Sequence, residues 1–511
     1  MFKQILRMLL ALIAIFGGPN LSPNAAETSG TRPNILYILA DDLGLGDVSC
    51  INSNAAWKTP RIDQLAREGR LFTDAHSASA VCTPSRYALL TGRYPWRGLL
   101  KAGVLNGYSP ALIESNRLTV ASFLRNHGYV TAMVGKWHLG LDWKRNGARP
   151  QDVNFAEPFA DGPTTHGFDS FFGISASLDM PPYVYLQNDR AVSIPTKQVG
   201  NNPAPKLWRA GPISPDFKFE QVHPRFAEKA LSFISDRAKS GDGKPFFLYL
   251  ALASPHTPVL PTPAFEGKTP TPYGDFVTQV DATVGELMDA LDAHHLASNT
   301  LVIFTSDNGF APAAGLEAHN KINHDPSAGF RGHKADIFEG GHRVPFIARW
   351  PGKTPPNTRC AATIGQVDLL ATCAELLATK LPPDAAVDSV SMLGLLRGED
   401  SRPRPPLVHQ SNNGSFAVRE GPWKLLFTPD SGGWSYPHPN TSETNGLPLL
   451  QLYNLAADPA EKTNLEESEP EITSRLTGQM TELIERGRST PGPAQPFVNP
   501  KNWPQAERVR R

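Results

Sequence analysis

The sequence contains few cysteines and no excess of charge of either sign. Its 511 residues include 4 cysteines, too few for a disulfide framework in a chain of this length. Lysine plus arginine and aspartate plus glutamate both number 49, so no net field would hold a polyanion over a wide surface. This balance argues against nucleic acid as a general partner. Any anion that the protein binds must be held by a local group of cations.

Apolar runs long enough to cross a membrane are also missing. The apolar run at residues 9–16 follows Lys3 and Arg7 and precedes small residues up to Ala26. We therefore predict a secretory signal peptide over residues 1–26 and a secreted or periplasmic mature protein; a buried N-terminal helix is the alternative. A membrane helix needs roughly 20 apolar residues, and no later run approaches that length. We expect no membrane span after removal of the signal.

Four continuous apolar runs bounded by polar turns are typical of buried strands in a mostly parallel sheet. These runs cover residues 35–39, 129–134, 246–252 and 301–304. Helices are predicted at 59–69, 119–128 and 275–291. Because strands and helices alternate, the predicted class is α/β, with a large, mostly parallel mixed central sheet flanked by helices.

The composition changes after about residue 385. A Pro-rich segment at 402–406 precedes strand-like pieces at 416–419, 423–427 and 452–455 and a helix at 470–486. We expect a large domain over residues 31–385 and a small α+β C-terminal subdomain with a short antiparallel sheet over 386–490. The polar, Pro-rich residues 491–511 are expected to form a tail.

Polar side chains follow each of the four predicted strands. In chain order they are Asp41, Asp42, Lys136, His138, His256, Asp307 and Asn308. Open α/β sheets place their sites beyond the carboxyl ends of the strands, so these residues point to one cleft. The carboxylate and amide oxygens suit Ca²⁺ or Mg²⁺ better than zinc. Taken alone, Asp41 and Asp42 are better explained as a solvated turn after a strand.

The most informative motif is Cys82-Thr83-Pro84-Ser85-Arg86, followed by Leu90-Thr91-Gly92-Arg93. It resembles the signature of the type I sulfatases of the alkaline phosphatase superfamily. Gly135-Lys136-Trp137-His138-Leu139-Gly140 resembles a second motif of that family, and segments 419–425 and 452–459 resemble its C-terminal region. The resemblance therefore covers nearly the whole mature chain and makes residues 31–385 the catalytic domain. A five-residue pattern alone recurs by chance, but here acidic and basic motifs accompany it in family order.

The resemblance implies that a maturation enzyme oxidises Cys82 to formylglycine. The hydrate of this aldehyde attacks sulfur, and its second hydroxyl allows a collapse that releases sulfate, which a thiol would not do. Arg86 is implied to hold the hydrate and its alkoxide by charge-assisted hydrogen bonds. A helix expected at about 84–90 would direct unpaired backbone N–H groups toward the nucleophile.

Four further positions match family residues around the sulfate. By this match Lys136 contacts the sulfate and the hydrated aldehyde, and His138 takes the proton from the second hydroxyl. His256 and Lys334 flank the leaving-group oxygen, to which one of them donates a proton. The chain departs from the family at His333, where glycine is common, and this departure leaves the surroundings of Lys334 open.

The resemblance also implies the identity and ligands of the cation. Calcium is favoured over magnesium, and it would contact the aldehyde-derived oxygen at Cys82 and a sulfate oxygen. The protein ligands implied are Asp41, Asp42, Asp307 and Asn308.

Three functions are compatible with these residues. The first is hydrolysis of sulfate esters, on a sulfated small molecule or saccharide. The second is hydrolysis of phosphate or phosphonate monoesters, which other members of the superfamily perform. The third is binding of sulfated glycans without catalysis, with Cys82 never converted; a binding protein has no need of a hydrated aldehyde.

The substrate is not determined by these motifs. Six aromatic residues are candidates either for stacking on sugar rings or for the core: Trp143, Tyr183, Tyr185, Trp208, Trp434 and Tyr436. A His-rich stretch follows Asn308, with His319, His324, Asp325, His333 and His342. Its spacings match no zinc pattern, so substrate contact or surface exposure is expected in preference to a second metal.

Overall fold

The computed structural model describes residues 32–399, 404–498 and 503–510. The predicted signal peptide, residues 1–26, lies outside these ranges. The strands are β1 (Asn34–Asp41), β2 (Arg70–Phe72), β3 (Ala75–His76), β4 (Val130–Lys136), β5 (Ser170–Ile174), β6 (Leu186–Gln187), β7 (Arg190–Ala191), β8 (Lys197–Val199), β9 (Gly211–Ile213), β10 (Phe246–Pro255), β11 (Thr300–Ser306), β12 (Phe346–Arg349), β13 (Thr358–Cys360), β14 (Ile364–Gly365), β15 (Leu407–Gln410), β16 (Phe416–Glu420), β17 (Trp423–Leu426) and β18 (Gln451–Asn454). The α-helices are α1 (Pro60–Glu68), α2 (Cys82–Thr91), α3 (Val120–Asn126), α4 (Val222–Ser240), α5 (Pro272–Ala293), α6 (Leu316–Lys321), α7 (Glu339–His342), α8 (Leu369–Leu376), α9 (Leu393–Leu396), α10 (Pro470–Arg486) and α11 (Pro504–Val509).

Ten strands form the central sheet, in the order β13-β2-β12-β11-β1-β10-β4-β5-β6-β7. The five middle strands, β11 to β5 in that order, are parallel to one another. Antiparallel pairs occur toward both edges, at β11 with β12 and at β5 with β6. The four predicted strands are β1, β4, β10 and β11, and the prediction of a large, mostly parallel mixed sheet is confirmed.

Alternate residues of β1 face opposite sides of the sheet. Tyr37 and Leu39 pack in one hydrophobic cluster, and Leu36 and Ile38 pack in the other. Helices cover both faces, so every residue of β1 is buried. A strand buried on both faces needs apolar side chains in both directions, and this explains why the sequence shows a continuous apolar run in place of an alternating one.

The helix that carries the Cys82 motif is α2. It begins at Cys82, two residues before the predicted start, and all of its residues are buried. Gly92 ends the helix with a φ of 63°, a left-handed conformation that glycine adopts without a Cβ penalty. The motif is thereby held in the interior, with the first turn of the helix at Cys82.

A second sheet follows in the C-terminal part of the chain. Strands β15 to β18 form an antiparallel sheet, and apolar residues of α10 such as Leu476 and Met480 pack in the same cluster as Leu425 and Leu452 of its strands. The predicted small antiparallel sheet is therefore confirmed. This sheet belongs to the same compact unit as the central one, Pro33–Arg511, and the boundary at residue 385 stays a prediction.

Within the described ranges, no helix is both long enough and apolar enough to cross a membrane.

Candidate active site

The predicted polar residues converge at the carboxyl edge of the parallel strands. Asp41 ends β1, Lys136 ends β4, His256 follows β10 and Asp307 follows β11. The metal-binding atoms of Asp41, Asp42, Cys82 and His256 all lie within 4.8 Å of one another. The sheet thus brings together residues that are far apart in the sequence.

Asp42 and Asn308 lie against each other at the ends of two neighbouring strands. Asn308 Nδ2 donates to Asp42 Oδ1 over 2.7 Å, and the Asp42 backbone N–H donates to Asp307 Oδ1 over 3.2 Å. In the described part of the chain, the buried Asn308 Oδ1 has no hydrogen-bond partner. A buried amide oxygen beside carboxylates suits a hard cation. The residues present therefore fit Ca²⁺ or Mg²⁺.

Arg86 reaches this acidic group from the second turn of α2. Its guanidinium donates to Asp307 and, over 2.9 Å, to the carbonyl oxygen of Lys136, and its Nη2 lies 3.4 Å from Asp41 Oδ1. Burial disfavours the charged form, but the carboxylates of Asp307 and Asp41 outweigh this effect and raise the pKa of Arg86. Arg86 therefore remains a cation inside the protein, and its contact with the nucleophile stays a prediction.

Lys136 joins the acidic group to a serine. Its Nζ donates to both carboxylate oxygens of Asp41, over 2.9 and 2.8 Å, and to Ser177 Oγ over 3.1 Å. Ser177 Oγ also lies 3.2 Å from His256 Nε2. Burial would raise the pKa of Asp41, but Lys136, His256 and Arg86 together hold that pKa well below its ordinary value. The Asp41 carboxylate is therefore ionised and available to a cation.

Lys334 contacts Asp42 from the other side of the site. Its Nζ lies 2.7 Å from Oδ1 and 2.8 Å from Oδ2 of Asp42, and His256 Nε2 lies 3.4 Å from the same Oδ2. Although burial opposes the charge, Asp42 raises the pKa of Lys334 above its ordinary value. His333, the departure from the family pattern, turns away and lies 3.0 Å from Ser327 Oγ through its Nδ1. The ammonium group of Lys334 is thus held in the site by Asp42.

Cys82 lies at the N-terminus of α2 beside these charges. Its Sγ is 3.7 Å from Asp41 Oδ1. Burial raises the pKa of the thiol to about 12, because it outweighs the opposing effect of Lys136 and Lys334. The unmodified side chain is therefore a neutral thiol near pH 7, and a thiolate nucleophile is disfavoured.

His138 presents a free ring nitrogen. Its Nε2 lies 2.8 Å from the carbonyl oxygen of Leu105, and because a carbonyl can only accept, Nε2 carries the hydrogen. Nδ1 is buried and has no partner within the described ranges. Burial, with the charge of Lys136 in addition, holds the pKa of His138 well below its ordinary value. The ring is therefore neutral, and Nδ1 is able to accept a proton.

A cavity of about 150 Å³ opens beside the thiol. Cys82, His138, Ser177, His256 and Lys334 line it, together with Asp179, Arg209 and Trp434. Of the six aromatic candidates, Trp143, Tyr183 and Tyr185 belong to the core and Trp208 stacks on Phe219. Trp434 is 48% exposed and lines the cavity, whereas Tyr436 is 63% exposed. Trp434 is therefore the aromatic candidate that lies at the cavity.

The sulfatase family matches this chain over residues 33–379. The chain is 36% identical over 524 residues to the N-acetylgalactosamine-6-O-sulfatase of Bacteroides thetaiotaomicron, across 94% of this chain and 99% of that protein. It is 31% identical over 501 residues to the human N-acetylgalactosamine-6-sulfatase, across 92% of this chain and 88% of the relative. The chain belongs to the sulfatase family. Its activity is that of a sulfuric ester hydrolase.

A solved structure supports the same assignment. A sulfatase from Bacteroides thetaiotaomicron, described in connection with the metabolism of multiple glycosaminoglycans, superposes with a TM-score of 0.78 at 35% identity. The alignment covers 89% of this chain and 99% of that one. The fold of this sulfatase is therefore that of its family along almost its whole length.

Several residues of the sulfatase cavity escaped sequence reasoning, among them Ser177, Asp179 and Arg209. Ser177 and Asp179 follow β5, which pairs with β4 at the edge of the parallel set. Like the predicted site residues, Ser177 and Asp179 are polar residues that lie just beyond the end of a strand. The strand before them shows no continuous apolar run, because Ser170 is polar and Gly173 weakens a strand pattern.

Three histidines of the His-rich stretch lie in the interior of the sulfatase. His319, His324 and His342 are buried, so the expectation of surface exposure is wrong for these three residues. His324 Nε2 lies 2.8 Å from Asp47 Oδ1, and both His319 and His324 pack against Trp57. The position of His324 between a carboxylate and an aromatic ring explains why histidine, with a polar edge and an apolar face, occurs there.

His342 joins a buried histidine cluster, His76, His342 and His409, between the two sheets. The rings of His342 and His409 stack with centroids 3.8 Å apart and 9° between their planes, and the Nδ1 atoms of His76 and His342 are 3.1 Å apart. Parallel stacked rings cannot both direct a nitrogen in the ring plane to one ion, so this arrangement does not suit a shared metal. Charged neighbours surround the cluster: Asp74, Glu339, Arg343, Arg419, Lys424 and Glu461.

Proposed function

We propose that this sulfatase removes sulfate from sulfated carbohydrates, using formylglycine made from Cys82 and a bound Ca²⁺. The observation that carries the proposal is the convergence of Cys82, three carboxylates and three permanent cations at one edge of the sheet. Because the two relatives compared above are N-acetylgalactosamine 6-sulfatases, N-acetylgalactosamine 6-sulfate is the first substrate to assay.

The charge of the site favours a sulfate ester over a phosphate monoester. Three carboxylates, those of Asp41, Asp42 and Asp307, face three cations, those of Arg86, Lys136 and Lys334. These six charges cancel, so a bound dication would leave a balance of plus two. One sulfate monoanion and one developing oxyanion would neutralise that balance, whereas a phosphate dianion with the same developing oxyanion would exceed it by one charge.

The metal and the modified side chain would supply the electrophilic and nucleophilic chemistry. Asp41, Asp42, Asp307 and Asn308, with the oxygen at position 82, would hold a Ca²⁺ ion that polarises the S–O bond and offsets the charge of the sulfate. Hydrated formylglycine at position 82 would supply the nucleophilic hydroxyl. Mg²⁺ is the second candidate for the ion.

The remaining residues bind the sulfate and move protons. Lys136, held by Asp41 and Ser177, presents positive charge to the sulfate. His138 accepts a proton at Nδ1, since its Nε2–H is already donated to a backbone carbonyl. His256 and Lys334, on the opposite side near Asp42, face the leaving oxygen, and one of them protonates it.

We further propose secretion or periplasmic export directed by residues 1–26, and maturation by a formylglycine-generating enzyme. The catalytic domain would comprise residues 31–385, with residues 386–490 as the C-terminal subdomain and 491–511 as a tail. A purely glycan-binding role is less consistent with a buried proton acceptor, His138 Nδ1, that has no partner in the described part of the chain and belongs to a residue lining the same cavity as Cys82.

The test uses enzyme matured together with a formylglycine-generating enzyme. Sulfate release is measured from 6-sulfated and 4-sulfated N-acetylgalactosamine, from other sulfated sugars and from nitrophenyl sulfate, with nitrophenyl phosphate as the competing substrate. We expect kcat/KM for nitrophenyl sulfate to exceed that for nitrophenyl phosphate at least tenfold, and at least one sulfated sugar to be hydrolysed. A preference for the phosphate ester would contradict the proposal, and Cys82→Ala supplies the inactive control.

A further inference from the structure

The cavity beside Cys82 contains a carboxylate that no part of the reaction with sulfate requires. Asp179 lies in the segment after β5 and is 3% exposed. It lines the same cavity as Cys82, His256 and Lys334. A carboxylate at this position would repel a sulfate anion if no cation offset its charge. The presence of Asp179 next to an anion-binding site therefore indicates that its carboxylate contacts a group other than the sulfate.

The hydrogen bonds of Asp179 leave one of its oxygens free. Oδ2 forms an ion pair with Nη1 of Arg209, and the backbone oxygen of Asp179 accepts from the Arg209 backbone N–H over 3.0 Å and from Tyr183 Oη over 3.1 Å. Oδ1 is buried and has no partner among the residues with assigned structure. A buried carboxylate oxygen without a hydrogen-bond donor is energetically unfavourable. A hydrogen bond donated by the substrate would therefore strengthen binding.

The sulfate group cannot supply that donor. A sulfate monoester anion has only acceptor oxygens, whereas the sugar that carries it has hydroxyl groups and, in an amino sugar, an amide N–H. An aryl sulfate has no donor next to the sulfate. A substrate of the carbohydrate type can therefore donate a hydrogen bond to Asp179 Oδ1, whereas an aryl sulfate such as nitrophenyl sulfate cannot.

Two neighbours complete a surface for a sugar ring. Trp434 is 48% exposed at the same cavity, and its backbone N–H is held by Asp336 Oδ1 over 2.8 Å. Arg209, whose side chain is 52% exposed, holds the Asp179 carboxylate from the rim. An aromatic face together with a fixed carboxylate is a common way to bind a ring that has an apolar face and polar edges.

We propose that Asp179 is a specificity-determining residue that accepts a hydrogen bond from a hydroxyl or amide N–H of the sulfated sugar, with Arg209 positioning its carboxylate. This inference rests on the proposed function and makes it more specific. It selects glycosyl sulfates over sulfates whose alcohol part lacks a donor.

The test compares two substrates on matured wild-type enzyme, Asp179→Ala and Asp179→Asn. A lost hydrogen bond to a charged group reduces affinity about 10-fold to 100-fold. We expect Asp179→Ala to lower kcat/KM for the best sulfated sugar at least 10-fold more than kcat/KM for nitrophenyl sulfate. Asp179→Asn keeps an acceptor but no charge, so its loss of kcat/KM for the sugar should lie between those of wild type and Asp179→Ala. Asp152→Ala removes an exposed carboxylate paired with Arg149 and is the control, with an unchanged ratio.

Deoxy analogues identify the donor. One deoxy or N-deacylated analogue of the best sugar should be a poorer substrate for wild type, with no further loss in Asp179→Ala. Equal losses on both substrates would show a structural role and overturn the inference, as would a full rate on the sugar in Asp179→Ala. If wild type hydrolyses nitrophenyl sulfate but no sulfated sugar, the proposed substrate class itself fails, an outcome distinct from the previous two.

Discussion

Arg86 donates two hydrogen bonds to a single carboxylate oxygen of Asp307, from Nε over 3.0 Å and from Nη2 over 2.8 Å. Both side chains are fully buried. The third nitrogen, Nη1, is bound to the carbonyl oxygen of Lys136. One guanidinium therefore fixes a proposed metal ligand and the end of the strand that carries Lys136, the lysine proposed to bind sulfate. A single ammonium group cannot make both contacts.

Arg86→Lys should accordingly reduce both activity and stability. We expect kcat to fall at least 100-fold, and the free energy of unfolding to fall by about 3 kcal/mol because Asp307 is left partly unpaired. Initial rates and thermal midpoints of the matured enzyme measure the two effects. Arg149→Lys, at an exposed ion pair, is the matched control. A fully active Arg86→Lys enzyme would contradict this positioning role.

Conversion of Cys82 should be visible in the mass of its peptide. Mass spectrometry of protein produced with a maturation enzyme should detect formylglycine or its hydrate at position 82, and protein produced without it should retain the thiol. Because burial keeps the pKa of that thiol at about 12, we expect the unconverted form to be inactive. Full activity in Cys82→Ala would refute the assignment.

Removal of the cation should abolish turnover, and Ca²⁺ should restore activity better than Zn²⁺. A second measurement does not depend on activity. Ca²⁺ at 100 times its dissociation constant stabilises the folded protein by about 2.7 kcal/mol, and the resulting rise in thermal midpoint should be strongly reduced in Asn308→Leu. An unchanged rate after exhaustive chelation, with metal analysis showing an empty site, would exclude this cation.

The two sides of the site should respond differently to the leaving group. Nitrophenolate needs little protonation, so His256→Ala and Lys334→Ala should reduce the hydrolysis of sugar sulfates at least 10-fold more than that of nitrophenyl sulfate. His138→Ala should slow both substrates, because release of sulfate from the enzyme is common to both. Equal losses on both substrates for His256→Ala and Lys334→Ala, with chemistry limiting the rate, would rule out the assignment.

The buried histidine cluster should make the protein sensitive to acid. Burial holds the pKa of His76, His342 and His409 below the ordinary value of 6.5, so the unfolded chain takes up protons first as the pH falls. Stability is therefore lost as the pH falls through 6.5, by up to about 1.4 kcal/mol per pH unit for each histidine.

The replacement His409→Phe tests this expectation, because phenylalanine keeps the ring stacked on His342 but cannot titrate. Between pH 7.5 and 5.5 the variant should lose about 1 kcal/mol less stability than wild type. Denaturant unfolding at the two pH values measures the difference. His438→Phe, at a half-exposed histidine, serves as the control. If stability depends on pH identically in His409→Phe and in wild type, the histidine cluster is not the cause of the acid sensitivity.

The amino-acid sequence by itself determined the fold class and most of the site. Continuous apolar runs predicted β1, β4, β10 and β11, because strands buried on both faces need apolar side chains at every position. The polar residues after those strands and the Cys82 motif predicted a single cleft. Both signals involve residues that are close together in the sequence, so they can be recognised without the structure.

Only the tertiary structure decided which other side chains meet the cleft. Trp143 and Trp434 look alike in the sequence, but Trp143 belongs to the core and Trp434 lines the cavity, since loop residues carry no periodic pattern that reports the direction of a side chain. Ser177 and Asp179 join the site because β5 pairs with β4. Such contacts depend on how distant segments pack, and packing is a property of the folded chain as a whole.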